Sequence, residues 1–249
     1  MTAVVAAGRR YLPRGYADFA RQVVIWFGFL AAYQAARGVA DRDPSRAFDN
    51  GWRVLGLEQG MTHHIFELTV QRVAESSSFL NRLAALTYWM SEFAVVGLAL
   101  LYVYLRRHDS FKRFRNWILL ANVLGLIGYV VLPTAPPRMF QSLGFIDTLG
   151  GLNSMNHGSS LVQVAGNPYA AMPSLHAADA LIVGITLISV TRRWWLRLLW
   201  GLWPLWVWFC VMATANHFWL DVVGGVAVAL LALALLQSRR LMRLAPKLA

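Results

Sequence analysis

Charged residues are scarce in this chain. Asp, Glu, Lys and Arg make up 14% of its 249 residues, whereas an ordinary soluble domain carries about 25%. The hydrophobic fraction is 57% and the mean hydropathy is +0.47. The apolar stretches reach the roughly 20 residues that a bilayer crossing requires, and they lack the polar face of a soluble helix. These features exclude a soluble protein and predict an all-α, polytopic membrane protein.

The chain also has a single cysteine and no internal repeat. Cys210 lies inside an apolar stretch, so an intrachain disulfide is excluded. No low-complexity tract and no appended soluble domain interrupt the pattern, which predicts one integral membrane domain over residues 1–249. The net charge of +11 does not indicate a nucleic-acid partner, because the basic residues form short clusters beside the apolar stretches.

What the chain does have is a series of long apolar stretches. They predict six transmembrane helices, over residues 18–39, 83–105, 116–132, 173–190, 196–214 and 218–237. The first stretch runs to about residue 39, which is long for a signal-peptide core and favours an uncleaved first helix.

Basic residues alternate between the connecting segments. Most of the 23 Lys and Arg residues lie in the N-terminal segment, the second and fourth connections and the tail: Arg9, Arg10, Arg14, Arg106, Arg107, Lys112, Arg113, Arg115, Arg192, Arg193, Arg197, Arg239, Arg240, Arg243 and Lys247. Cytoplasmic loops carry the excess of Lys and Arg. We therefore expect both termini in the cytoplasm, the other connections outside, and a location in the plasma membrane.

The first outer connection, residues 40–82, is too long for a simple loop. Residues 48–57 and 65–73 have apolar residues at helical spacing, which predicts short amphipathic helices at the outer surface. His63, His64 and Glu67 lie here at a spacing that could suggest a metal site, but no further metal ligand is apparent. A polar helix face is the better interpretation, and we predict no metal site.

Three segments at outer ends of the predicted spans carry chemistry. The first, 129–138, has three prolines before Arg138. Prolines restrict the backbone as the chain leaves a helix, so the Arg138 guanidinium would be held at the surface and could bind a phosphate through two hydrogen bonds. A simple interfacial arginine is the alternative.

The second segment, 173–179, begins a predicted helix with Pro173, Ser174 and His176. The first backbone N–H groups of a helix have no partner within the helix and can bind an anion. His176 could donate a proton to a leaving oxygen. Asp179, three residues further on, could influence His176 or face a polar cavity between helices.

The third segment, 214–221, places His217 and Asp221 four residues apart, so both lie on one helix face. A carboxylate that accepts a hydrogen bond from Nδ1–H would leave Nε2 of His217 free as a nucleophile. An aspartate near hydrocarbon is costly and usually functional, although a structural ion pair fits the same spacing.

The order of the three segments resembles the type 2 phosphatidic acid phosphatase superfamily, which shares its site with acid phosphatases and vanadium haloperoxidases. Within it, the Pro-Ser-Leu-His sequence at 173–176 and the tyrosine-and-double-proline form of the first segment are similar to the inositol phosphorylceramide synthase branch. The resemblance covers roughly residues 129–225.

The resemblance implies a role for five residues. His217 would be the nucleophile, Asp221 the carboxylate that orients it, and His176 the general acid and later the base. Arg138 and Ser174 would bind the phosphate. The reaction would proceed through a phosphohistidine, without a metal ion and without a cofactor.

Two cations of the superfamily pattern are missing. Its lysine falls on Val131, and its Ser-Arg pair falls on Cys210 and Val211. Arg72 or Arg82 from the first outer connection could replace one cation, or the substrate could be a phosphodiester with less charge.

We therefore expect a membrane enzyme that opens a lipid-linked phosphate bond on the outer side. The acceptor would be water, in a phosphatase, or an alcohol such as inositol or a sugar, in a phosphotransferase. Polar residues of the third connection would line an acceptor pocket or form a surface loop: Asn153, Asn156, His157, Ser159 and Ser160. The alternative is a transporter or lipid-binding protein with a decayed site, in which Glu92, Asp179 and Asp221 would relay protons.

Overall fold

A computed structural model describes residues 12–39, 43–150 and 168–244, and within these ranges the protein is built from helices. In chain order they are α1 (Gly15–Val39), α2 (Pro44–Thr62), α3 (Phe66–Glu75), α4 (Ser78–Met90), α5 (Val96–Arg106), α6 (His108–Val131), α7 (Leu175–Val190), α8 (Trp194–Ala213) and α9 (Trp219–Leu244). A π-helical turn, Ser91–Val95, joins α4 to α5. The all-α prediction is confirmed.

Among the residues that the structure describes, four helical segments are long and apolar enough to cross a membrane. They are the continuous α4–α5 unit (Ser78–Arg106), α6, α8 and the part of α9 at Trp219–Ser238. These segments make the chain an integral membrane protein. Helix α7 is apolar but has only 16 residues, about 24 Å at 1.5 Å per residue, and α1 is not one of the four. The count of six spans stays a prediction.

The first outer connection folds into helices, as the apolar spacing predicts. Helix α2 begins after Asp43, whose side chain accepts a hydrogen bond from the Arg46 N–H, and it has proline in its first turn. Residue His63 ends α2 in the left-handed conformation, with φ of 57°. Helix α3 follows directly. Both helices bury polar side chains as well as apolar ones, so they are packed elements of the fold.

Helix α7 lies at the centre of the bundle. It packs against α6, α8 and α9, and most of its residues are buried, including Leu175, Ile182 and Val183. The outer faces of α8 and α9 expose large apolar side chains such as Leu198, Leu205 and Leu230. An apolar exterior around a packed centre is the arrangement expected for helices surrounded by lipid.

Two glycines allow α6 and α9 to approach the start of α7 closely. A β-carbon at Gly128 of α6 would overlap the Pro173 ring, and one at Gly225 of α9 would overlap the Ser174 carbonyl. Small residues at helix contacts let backbones come together where the hydrophobic effect cannot drive association. The close approach places the start of α7 between the end of α6 and the start of α9.

Candidate active site

Backbone hydrogen bonds join the three predicted segments. The Ala171 N–H donates to the Thr134 carbonyl at 3.3 Å, and the Arg138 N–H donates to the Ala215 carbonyl at 2.8 Å. The Ser174 N–H donates to the Asp221 carbonyl at 2.9 Å. The end of α6, the start of α7 and the start of α9 therefore meet at one end of the bundle.

The two histidines lie side by side in this region. The ring centroids of His176 and His217 are 5.7 Å apart, and both side chains are largely buried, with exposures of 7% and 3%. His176 is in the first turn of α7 and His217 precedes α9. Both rings line one cavity. The convergence on which the sequence argument depends is present in the structure.

Two groups surround Nδ1 of His217. The nearer is the Ala171 carbonyl oxygen at 2.8 Å, and the Asp221 Oδ2 atom is 3.6 Å away. A carbonyl can only accept, so Nδ1 carries the hydrogen and Nε2 of the neutral ring is left unprotonated. Asp221 Oδ2 itself accepts from the Phe218 N–H at 2.8 Å. The carbonyl makes the direct hydrogen bond, with the carboxylate at ion-pair distance.

His176 has partners from the α4–α5 unit. The Tyr88 ring stacks on its imidazole, with centroids 4.3 Å apart and planes inclined by 17°. The Glu92 Oε2 atom is 3.4 Å from Nε2 of His176. Glu92 lies in the π-helical turn, and such wide turns occur often at functional sites. Sequence reasoning considered Glu92 only as a relay residue and missed Tyr88. A carboxylate inside an apolar stretch was the available signal for Glu92.

Arg138 is tethered beside the histidines. It lies in the 3-10 turn Pro137–Met139, and its Nη1 donates to Asn216 Oδ1 at 2.6 Å. The Asn216 amide in turn donates to Thr214, both to its carbonyl and to its Oγ1, at 3.0 Å. Asn216 was not a predicted site residue. It directly precedes His217, so it couples the position of the guanidinium to the turn that carries the imidazole.

Ser174 and Asp179 are placed differently from the other predicted residues. Ser174 is the N-cap of α7, and its Oγ accepts from the Ala177 N–H at 3.3 Å. Asp179 accepts from the Asn122 side chain of α6 at 2.9 Å. Both are buried, and neither lines the cavity. Ser174 thus has a structural part in the helix start, and Asp179 faces α6.

The described cavity wall contains one guanidinium and one carboxylate, from Arg138 and Glu92. The full lining is Tyr88, Glu92, Tyr129, Pro136, Arg138, Pro168, Ala170, Ala171, His176, Asn216 and His217. Arg72 and Arg82 are not part of it. The polar residues expected to form an acceptor pocket, Asn153 to Ser160, lie outside the described residues.

Comparison with known proteins supports the resemblance. The PAP2 superfamily model matches residues 53–235. The phosphoinositol dihydroceramide synthase of Bacteroides thetaiotaomicron is 27% identical over 155 residues, which cover 57% of this chain and 50% of that protein. The catalytic subunit of inositol phosphorylceramide synthase from Schizosaccharomyces pombe is 27% identical over 139 residues, covering 49% and 32%. The chain thus spans half of the first relative and about a third of the second.

A solved structure shares the fold. The crystal structure of Aquifex aeolicus LpxE superposes with a TM-score of 0.50 at 15% identity, covering 67% of this chain and 91% of that one. The family match includes α3 to α8, the three converging segments and most of α9. The chain belongs to the PAP2 superfamily, and the resemblance predicted from its sequence is confirmed.

Proposed function

We propose that this protein is a membrane phosphotransferase that moves a phosphorylated head group from one lipid to a hydroxyl acceptor through a phosphohistidine at His217. The observation that carries the proposal is the pair of adjacent imidazoles, 5.7 Å apart, opening on one cavity with Arg138. A nucleophile with a fixed tautomer, a second imidazole and a guanidinium are the groups that phosphoryl transfer requires.

The first half of the reaction cleaves the donor. Nε2 of His217 attacks phosphorus, the bond to the leaving oxygen breaks, and His176 gives that oxygen a proton. Arg138 binds a non-bridging oxygen and stabilises the charge that develops there. The Ala171 carbonyl and Asp221 stabilise the positive ring of His217. The products are the released alcohol and a phosphohistidine that still carries the head group.

The second half transfers the head group. His176, now neutral, takes the proton of the acceptor hydroxyl, whose oxygen attacks phosphorus while the bond to Nε2 of His217 breaks. Glu92 supports both halves, because a carboxylate 3.4 Å from Nε2 of His176 favours the protonated ring from which the first step begins. If water is the acceptor, the same groups perform a phosphatase reaction.

The charge of the cavity favours a phosphodiester donor. The described lining contains one guanidinium and one carboxylate, and the two missing superfamily cations, a lysine and an arginine, fall on Val131 and Val211. A diester carries a single negative charge, whereas a monoester carries nearly two near neutral pH. The names of the matched relatives contain phosphoinositol and ceramide. We therefore propose an inositol phospholipid as donor and a ceramide-type hydroxyl as acceptor, with inositol or a sugar as an alternative acceptor.

The orientation of the site follows from the charge pattern. The cavity lies where α6 ends and where α7 and α9 begin, while Arg106, Arg107, Arg192 and Arg193 lie at the opposite ends of their helices. The positive-inside rule supports a cavity that opens on the extracytoplasmic side, and we propose the plasma membrane as its location. Both termini are then cytoplasmic.

The proposal is tested with detergent-purified protein and an inositol phospholipid labelled with ³²P. Wild type should transfer label to an added ceramide and hold label on the protein during turnover. His217→Gln should lose at least about a thousandfold in rate and hold no label. His64→Gln, at an exposed histidine, is the matched control and should keep the wild-type rate. Unchanged turnover in His217→Gln would overturn the proposal.

A further inference from the structure

Two carboxyl groups from outside the cavity meet at the start of α9. Glu58 of α2 and Glu67 of α3 have no exposed surface. Glu58 Oε1 accepts from the Leu220 N–H and Glu67 Oε1 accepts from the Trp219 N–H, each at 2.8 Å. These contacts join residues more than 150 positions apart. Helices α2 and α3 therefore supply hydrogen-bond acceptors for the first N–H groups of α9, the helix that follows His217.

The two glutamates complete the hydrogen bonding of this helix start. The first N–H groups of a helix have no partner within it, and the residue before α9 is Phe218, whose side chain cannot cap. Asp221 accepts from the Phe218 N–H, as the third residue of a helix does in a capping box. Glu67 and Glu58 take the next two N–H groups.

The second oxygens of the two glutamates are left without partners. The Oε2 atoms of both are buried and have no hydrogen-bond partner among the described residues. The two carboxyl groups bind consecutive N–H groups, and because two carboxylates can only accept, a single hydrogen between them would satisfy both. Burial, followed by the charge of Glu67, raises the pKa of Glu58 to about 9. Burial also raises the pKa of Glu67.

The charged groups around the pair are few. The negative charge of Asp221, from α9, acts on both glutamates. From α8, the Cys210 side chain packs with α3. In the segment after α6, Arg138 is bonded to Asn216 and Asp147 to the Gly150 N–H. Loss of the shared proton would therefore place three carboxylates at one helix start.

We propose that Glu58 and Glu67 act as a proton-sharing pair that positions the first turn of α9, and with it His217 and Asp221, for phosphoryl transfer. The inference rests on the proposed function only for its catalytic consequence. His217 is separated from the Trp219 N–H by a single residue, so the turn that carries the nucleophile is anchored to α3 through Glu67 and to α2 through Glu58. With one shared proton, the pair holds the N–H groups without the repulsion that a second charge would bring.

The matched substitutions are Glu58→Gln and Glu58→Leu. Glutamine can still accept from the Leu220 N–H and donate to Glu67, and it carries its hydrogen at every pH. Leucine fills similar space but leaves that N–H and one Glu67 oxygen without partners. Glu75→Gln, at an exposed glutamate of α3, is the control.

The pH dependence of stability tests the shared proton without reference to activity. The pKa of Glu58 is 4.5 in its ordinary state and about 9 in the folded protein. At a pH between these two values, Glu58 is more often protonated in the folded than in the unfolded state. Stability of the wild type is then greatest at low pH and falls as the pH rises through this window. Glu58→Gln removes this loss. The melting temperature of Glu58→Gln in detergent, minus that of the wild type, should therefore increase steadily from pH 5 to pH 9. If the melting temperatures of wild type and Glu58→Gln changed in parallel with pH, the shared proton would be overturned.

The kinetic measurement tests the positioning role. Wild-type kcat should fall above about pH 9, where the pair loses its proton, and Glu58→Gln should lack this fall while keeping kcat at pH 7 within about threefold. Glu58→Leu should lose at least about 30-fold in kcat with KM changed less than about threefold. A Glu58→Leu variant that melts lower yet keeps its kcat would overturn the positioning role, and so would an alkaline fall unchanged in Glu58→Gln. Failure of the proposed function would instead appear as turnover in His217→Gln.

Discussion

Helices α7 and α9 both begin at the cavity, but their first turns are held in different ways. The start of α7 has a local cap, because Ser174 accepts from Ala177 three residues on. The start of α9 takes two of its acceptors from α2 and α3. Sequence reasoning can read the first arrangement from neighbouring residues. The second exists only after residues far apart in the chain have packed, so the position of His217, the proposed nucleophile, depends on α2 and α3.

The two histidines also differ in the groups that hold their rings. Nδ1 of His217 is fixed by a backbone carbonyl, with a carboxylate at 3.6 Å, whereas His176 contacts the side chains of Tyr88 and Glu92. A ring held by backbone in one tautomer suits a nucleophile. A ring beside a carboxylate suits a group that gives and takes a proton. The difference in surroundings supports the two proposed roles, which His176→Gln and Glu92→Gln test below.

Among these substitutions, the largest loss of rate is expected for His176→Gln acting on a substrate that has a poor leaving group. Removing a general acid costs about 100- to 10 000-fold, and the loss should be far smaller for a p-nitrophenyl phosphodiester, whose leaving oxygen needs no proton. The measurement is the rate of His176→Gln relative to wild type for both substrates. Equal losses for the two would contradict the general-acid role, and His64→Gln is the control.

The contact between the two helix starts is tested by Gly225→Ala. The added methyl group would overlap the Ser174 carbonyl, and forcing atoms into a packed site costs about 1–3 kcal/mol. We expect a lower melting temperature and a rate reduced by about tenfold or more, because α7 and α9 must move apart. Gly97→Ala is the matched control, since its β-carbon would meet nothing within 4 Å. Equal behaviour of the two variants would contradict the close packing of α9 on α7.

Much of the site could be predicted from the sequence, because its parts are local. The proline-bounded Arg138, the helix start before His176 and the His217–Asp221 spacing are each visible in short segments. The alternation of basic residues indicates that these segments share one side of the membrane. The structure brings all three together.

The remaining site residues depend on tertiary packing. Tyr88 and Glu92 reach His176 only because α4 and α5 pack beside α7, and the Ala171 carbonyl reaches His217 only through the turn before α7. No short-range pattern predicts such contacts. Ser174 has a further role that the motif did not imply, since its Oγ accepts from the Ala177 N–H as the N-cap of α7. Its binding of phosphate stays a prediction.

A smaller effect than that of His176→Gln is expected for Glu92→Gln. The amide can still hydrogen-bond to His176 but cannot stabilise its positive charge. A hydrogen bond to a charged group contributes about 1.5–3 kcal/mol, which corresponds to a loss of about 10- to 100-fold in kcat. KM should change little, because the carboxylate acts through His176. Glu75→Gln is the control for loss of a glutamate charge. If Glu92→Gln kept the kcat of the wild type, His176 would not depend on Glu92.

The smallest effect is expected for Ser174→Ala. Because the Ser174 hydroxyl accepts from Ala177 and does not line the cavity, the variant should lose about 0.5–2 kcal/mol of stability, the usual cost of an N-cap. Its rate should stay within about threefold, because the groups of the cavity are unchanged. Ser77→Ala is the matched control, since Ser77 caps α4 with the same 3.3 Å hydrogen bond far along the chain from the histidines. If Ser174→Ala instead lost about tenfold or more in kcat/KM while Ser77→Ala did not, the hydroxyl would bind phosphate during turnover. The start of α7 would then contact the substrate directly, as the turn before α9 is proposed to do.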